Sequence, residues 1–318
     1  MTIKYIKQFN AINKHDVSSA GGKGASLGEM ITAGIPVPPG FVILAETYEK
    51  IIKAGQLDLE INTVLGKVDI AEASTVEAAS EKIQGLMQHA KIPDEIADAI
   101  MDAQNSLGAS YMAVRSSATA EDSAETAWAG QLDTFLNTTE EDVLNNVKKC
   151  WTSLYTPRSI FYRFKNQLHD KEISVAVVVQ KMVESDQAGV AFSVHPVTQD
   201  HEKMIIEAGF GLGEAVVSGK ITPDSYVVDK NGCQIIDVNL GDQDKGIFRG
   251  ENGGTEWRQL PIKENTSKRV LDDSEIIDLS HIVMNIENHY GFPVDVEWAR
   301  ENEKFYIVQS RPITTLSV

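Results

Sequence analysis

The sequence predicts an α+β protein of two lobes around a cleft, helix-rich in its first half and mainly antiparallel sheet in its second. Three observations carry this. Between residues 69 and 107, and again between 143 and 154, apolar side chains recur at about the 3.6-residue helical spacing. Beyond residue 170 the period drops to about two, with Ile173, Val175, Val177 and Val179 alternating. Lys230-Asn231-Gly232, set between two strand candidates, is a strong hairpin turn.

In chain order, Gly21-Gly22-Lys23-Gly24 reads as a loop entering a helix, in which Leu27, Met30 and Ile31 share a face and Gly34 ends the element. Pro36-Val37-Pro38-Pro39-Gly40 forces an extended turn, and Phe41 to Leu44 follow as a short buried strand. Ile83, Leu86 and Met87, then Ile96, Ala99, Ile100 and Ala103, define a helical cap on the first lobe, with Pro93 placed for a first turn. Tyr111 to Val114 is a strand signal running into Arg115-Ser116-Ser117-Ala118. Thr138 and Glu141 have capping-box spacing before a helix face of Val143, Leu144, Val147, Trp151 and Leu154. Strands are then expected over 188–194, 203–207, 225–229 and 234–238, a helix over 274–290, and two last strands over 294–299 and 305–310.

A chain of 318 residues with 42% apolar side chains can bury a sizeable core, which excludes disordered and fibrous classes. Its 29 Lys and Arg against 46 Asp and Glu give a net charge of −17, a poor match to a nucleic-acid groove. A polyanionic ligand would need a local basic pocket or a metal ion. Cys150 and Cys233 are too few for a disulfide scaffold or a zinc site, and a reducing cytoplasm fits them best. The first twenty residues hold no continuous apolar stretch, and the longest anywhere is about five residues, so neither a signal peptide nor a membrane span is expected.

Four groups of residues could carry chemistry. Gly21 to Gly24 before a helix can cradle an anion, with Lys23 as a point charge; a plain Gly-rich turn is the alternative. It is not a Walker loop, because Val17 and Gly24 stand where that motif needs Gly and Ser or Thr. Arg115 with Ser116 and Ser117 suits phosphoryl oxygens, or equally a surface arginine beside two helix caps. Glu207 to Gly219 holds four glycines together with Glu207 and Glu214, and its spacing matches a dinucleotide fingerprint poorly. Finally Asp295 and Glu297 share one strand face, as do Gln309 and Arg311 on the next strand. An odd-length connection sets these pairs opposite one another as a magnesium-nucleotide site; an even one separates them. On pattern alone a solvated, charged hairpin face is the favoured reading. None of the seven histidines stands in an acceptor or metal pattern, and all are read as structural or surface residues.

Eight segments in order, GGKGASLGEM with PVPPGF (21–41), RSSATAED (115–122), AGQLDTFLN (129–137), CWTSLYT (150–156), QKMV (180–183), GLGEAVVSG (211–219), DVEWA (295–299) and QSRPIT (309–314), make the chain resemble a known family. It looks like the N-terminal ATP-grasp domain of phosphoenolpyruvate synthase and pyruvate phosphate dikinase, and is similar to the same domain of rifampin phosphotransferases. The resemblance implies lobes over 1–182 and 183–318 with the nucleotide cleft between them. Lys23 and Arg115 would hold ATP phosphates, with Gly130 and Thr134 on a loop beside them. The backbone of Gln180, Lys181, Met182 and Val183 would read the adenine edge, and Glu184 or Glu207 would reach ribose or adenine. Glu297 and Gln309, with Asp295, would ligate Mg²⁺, and Arg311 would stabilise charge on the transferred phosphoryl group. The implied reaction moves phosphoryl groups from ATP to a histidine on a separate swivelling domain, in the same protein or in trans. In the full enzyme, ATP, pyruvate and water give AMP, phosphoenolpyruvate and phosphate. The His domain and the pyruvate barrel would lie outside this sequence, leaving a half-reaction. A rifamycin acceptor, a non-catalytic nucleotide module and a carboxylate-amine ligase are the competing readings.

Overall fold

The computed structural model describes residues 5–119, 131–168, 173–260 and 269–314. They fall into two compact units, Met1–Gly28 with Pro39–Met182, and Glu29–Pro38 with Val183–Val318.

The first unit is built on a five-stranded antiparallel sheet in the order β1-β2-β5-β3-β4. Its strands are β1 (Ile6–Gln8), β2 (Gly40–Ile43), β3 (Met112–Ala118), β4 (Thr134–Thr138) and β5 (Val175–Lys181). Alternation sends Phe41, Ile43, Met112, Val114, Val175, Val177 and Val179 to one face. There they share a core with helices α2 (Ala45–Ala54), α3 (Leu57–Leu65), α4 (Ala73–His89), α5 (Asp94–Leu107), α6 (Val143–Thr152) and α7 (Pro157–Lys165). Trp151 and Tyr48 meet in this core at 6.5 Å, and the hydroxyls of Tyr48 and Tyr155 bond at 2.8 Å. The other face carries Val42, Val178 and Arg115 and takes α1 (Val17–Thr32), whose Gly24 lies against the Val42 side chain.

Thr138 does not open a capping box. It ends β4, and its hydroxyl donates to the Phe135 carbonyl at 3.2 Å and accepts from Asn146 at 3.0 Å. Residue 142 caps the helix without a side-chain bond. The predicted apolar face of α6 is nevertheless buried, because that depends on spacing and not on the cap. Cys150, on this face, donates weakly to the Val114 carbonyl, and burial pushes its thiol up to about 12. We expect it to resist alkylation at pH 8 in the folded chain and to react once denatured, as mass spectrometry of the labelled protein will read.

The second unit holds a six-stranded antiparallel sheet, β13-β12-β6-β7-β8-β9. It comprises β6 (Gln187–Phe192), β7 (Lys203–Phe210), β8 (Asp224–Asp229), β9 (Gln234–Asn239), β12 (Val294–Glu301) and β13 (Lys304–Pro312). Val294, Val296, Trp298, Met204, Ile206, Tyr226 and Val228 line the buried face, which packs against α9 (Asp273–Tyr290) through Ile276, Leu279, Val283 and Ile286. A capping box opens this helix: Asp272 accepts from the Glu275 amide, and the Glu275 carboxylate accepts from the amide of Asp272. A short helix α8 (Glu214–Val217) and a ribbon of β10 (Lys245–Arg249) and β11 (Thr255–Gln259) complete the unit. The ribbon joins the Gly-rich segment, where Gly211 at φ +82° bridges Ile247. Among the described residues no helix is long and apolar enough to cross a membrane.

Candidate active site

In the first unit the site grows from a helix broken at one residue. Val17 to Thr32 is helical on both sides of Gly21, which alone sits at φ 68° and ψ 171°. The predicted loop is therefore a single glycine, and Lys23 stands in the first turn after it. Gly21 is required by contact as well as conformation, since a Cβ there would lie 2.2 Å from the Ser117 hydroxyl and 2.4 Å from the Ser117 carbonyl. The Ser117 hydroxyl fastens the break, donating to the Ala20 carbonyl at 3.0 Å and accepting from the Gly24 amide at 3.4 Å.

Ser116 and Ser117 are thus not helix caps; both are buried in mid-strand, on opposite faces of β3. Arg115, almost fully buried, is the direct cross-strand partner of exposed Thr134 on β4 and of Val178 on β5. Two residues beyond Val178, Gln180 is buried on that same face. The sheet so gathers Arg115, Thr134 and Gln180 on the side that takes α1. The Lys181 and Met182 amides donate to the carbonyls of Pro39 and Tyr111. Of the expected adenine-reading segment, those two amides are committed within the fold. Gly130 lies outside the described residues.

In the second unit the last hairpin carries the expected acid, amide and guanidinium side chains. Its turn, Asn302-Glu303, has two residues, both at positive φ (49° and 64°), the geometry of a tight hairpin. That is an even connection, and an unbroken ladder would put the acid pair and the Gln-Arg pair on opposite faces. A bulge between Glu297 and Trp298 prevents it: Trp298 pairs with Ile307, but Glu297 pairs with Gln309, with Val308 left as the extra residue. Asp295 then faces Arg311 and Glu297 faces Gln309, on the side opposite α9. The solvated-face alternative fails too, since Asp295 and Gln309 are largely buried.

Arg311 Nε donates to Asp295 Oδ2 at 2.8 Å, while Asp295 Oδ1 is buried with no hydrogen-bond partner among the described residues. Burial raises the Asp295 carboxyl above its ordinary range, Arg311 opposes this, and Glu297 adds to it. Glu207 lies in the same transverse row as Glu297, across Val190, about 10 Å away at two strand spacings. Half-buried, it is also shifted upward, first by desolvation and then by Asp295. Glu184 has a different engagement: Arg249 Nε stands 2.6 Å from its Oε1, and Arg249 Nη2 donates to its Oε2 at 3.0 Å.

Glu297, the Gln309 amide oxygen and the unpaired Asp295 oxygen are hard donors on one face, a set that suits Mg²⁺. Among the described residues no group of three or more His, Cys, Asp or Glu could hold a metal by itself. A divalent ion would draw its remaining ligands from water and phosphate oxygens, the habit of Mg²⁺ at nucleotide sites. Of the histidines, His289 pairs with Glu29 at 2.8 Å and His195 Nδ1 accepts loop amides. Sequence reasoning missed the bulge at Val308 and the fastening role of Ser117.

Residues 17–318 match the family described as pyruvate phosphate dikinase, AMP/ATP-binding domain. The chain is 44% identical over 322 residues to a probable phosphoenolpyruvate synthase of Methanocaldococcus jannaschii, covering 99% of this chain and 27% of that protein. It is 43% identical to a probable phosphoenolpyruvate synthase of Methanothermobacter thermautotrophicus (99% and 46%) and 37% identical to the rifampicin phosphotransferase of Bacillus subtilis (96% and 35%). It thus spans less than half the length of these relatives. The ordered motifs, the antiparallel α+β fold and a match over nearly the whole chain agree that this chain belongs to the AMP/ATP-binding domain family of pyruvate phosphate dikinase.

Proposed function

We propose that the chain binds Mg-ATP and carries out the phosphoryl-donating half of a phosphoenolpyruvate synthase-like cycle, passing phosphoryl groups to a histidine of a separate domain in the cytoplasm. The observation that carries this reading is the bulged hairpin, which brings two carboxylates, an amide and a guanidinium to one face. Lys23 and Arg115, in the first unit, act as phosphate-binding cations with Gly130 and Thr134 beside them, and Arg115 meets phosphate oxygens as a planar fork. Gln180 to Val183 reads the adenine edge; because the Lys181 and Met182 amides are taken, the Val183 amide is the donor we assign to it. Glu207, free of the ion pair that holds Glu184, is the better carboxylate for ribose. In the second unit Glu297, Gln309 and Asp295 would hold Mg²⁺, which would offset phosphate charge. Arg311 points its guanidinium at the same face to meet charge on the departing phosphoryl group. Asp295 orients that guanidinium through the 2.8 Å bond to its Nε.

Calorimetric titration with AMP-PNP tests this directly. Tight binding that needs Mg²⁺ supports the reading; no binding in either condition removes it. Glu297→Ala is expected to weaken Mg-AMP-PNP by roughly tenfold or more while leaving metal-free nucleotide little changed. Unaltered Mg²⁺ dependence would take Glu297 out of the metal shell. With a His-bearing domain supplied in trans, AMP should accumulate; ADP as product would point instead to the carboxylate-amine ligases. A rifamycin as final acceptor remains the second reading, carried by the Bacillus subtilis relative, and both share this half-reaction.

A further inference from the structure

The segment from Cys150 to Ser159 is outside the site described so far, yet its far end grips the residues that lead into Thr134. Gln131, Leu132 and Asp133 immediately precede β4. The Gln131 carbonyl accepts from Arg158 Nε at 3.0 Å, and Ser159 Oγ stands 3.0 Å from it. The Asp133 carboxylate pairs with Arg158 Nη2. From β3, the amide and the hydroxyl of Ser116 donate to the Asp133 carbonyl at 3.1 and 2.9 Å. Thr156 caps α7 through the Ser159 amide and so fixes the turn from which Arg158 projects.

Arg158 therefore spends two edges of one planar fork on one short segment, a carbonyl at its start and a carboxylate at its end. Its side chain is 51% exposed and that of Asp133 35%, and ion pairs so placed contribute little to folding. What they do is fix position. We infer that Arg158 is a positioning residue for the phosphate end of the nucleotide, acting through Gln131 and Asp133 to set Thr134 beside Arg115. This rests on the ATP reading proposed above.

The test is titration of the whole chain with AMP-PNP and with AMP, in the presence of Mg²⁺, alongside thermal unfolding. Arg158→Ala is expected to weaken AMP-PNP by about tenfold while changing AMP by less than about twofold, with the melting temperature nearly unchanged. Arg158→Lys keeps a charge for Asp133 but cannot also reach the carbonyl, so it should fall between wild type and Arg158→Ala. In a Thr134→Ala background the Arg158→Ala loss should largely vanish, because the two act through one segment. AMP-PNP binding equal to wild type in Arg158→Ala overturns the inference, as does an equal loss for both ligands with a lowered melting temperature. If the wild-type chain binds neither nucleotide, the ATP reading itself falls and takes this inference with it.

Discussion

Arg311→Ala is expected to cut AMP formation, measured with a His-bearing domain in trans, by about three orders of magnitude while AMP-PNP affinity changes only a few-fold. The asymmetry follows from where the charge is needed. An arginine aimed at a phosphoryl group meets most of its charge in the transition state, and such residues are worth about 10³ or more in rate. On the proposed function, ground-state affinity would be shared with the other phosphate-binding groups. Arg311 also stabilises Asp295, whose other oxygen is already without a partner, so its removal leaves a buried carboxylate more exposed to the desolvation that raises it. The double variant Arg311→Ala with Asp295→Asn relieves the uncompensated charge, so stability should recover; it reads stability alone, because Asp295 is also a proposed Mg²⁺ ligand. Parallel loss of binding and turnover in Arg311→Ala would assign Arg311 to nucleotide binding instead.

Gly21→Ala is the second large effect. The new methyl would need both a positive φ of 68° and space already held by the Ser117 hydroxyl and carbonyl. Strain and overpacking together should cost about 2–4 kcal/mol, a fall in melting temperature of roughly 5–10 °C. Relief of the clash requires β3 and the first turn after the break to separate, which displaces Lys23 from the face that carries Arg115; AMP-PNP binding should drop at least tenfold. Gly34→Ala is the matched control: φ is +76° there too, but nothing lies within 4 Å of the new carbon. It should lose only about 1 kcal/mol and bind as wild type. If Gly21→Ala binds normally, the Gly21–Ser117 fastening is not what places Lys23.

Much of this architecture is written locally and was legible. Strands β8 and β12 and helix α9 announce themselves by period, since each buries mainly one face. Other features depend on partners far away in sequence. Helices α2 and α3 were not anticipated: Leu59 is 74% exposed and spoils the apolar face that would have marked α3. Strand β11 has every residue exposed and therefore no alternation to read. In the same way Thr138 has the letters of a cap, but β4 and Asn146 claim its hydroxyl. The candidate site divides similarly. The residue types at 295, 297, 309 and 311 are visible by spacing, whereas their convergence depends on a register that turn length alone gets wrong.

Because of the extra residue at Val308, the final hairpin is two ladders in different phase, joined end to end. The ladder beside the turn sets Trp298, Ile307 and Phe305 for packing, with the Trp298 and Phe305 rings edge to face at 5.6 Å. The far ladder presents the polar set. Mutational tolerance should therefore split at this joint. Exchanging Asn302-Glu303 for another two-residue turn changes how firmly the tip closes and leaves the polar set in place. Adding one residue to the turn forces the inner ladder to choose between its own packing and the outer one. Removing Val308 is the exception among single deletions, for it merges the two ladders into one regular hairpin in which Glu297 still meets Gln309. In this hairpin Val308 sets the two ladders out of phase, yet the polar set would keep its register without it.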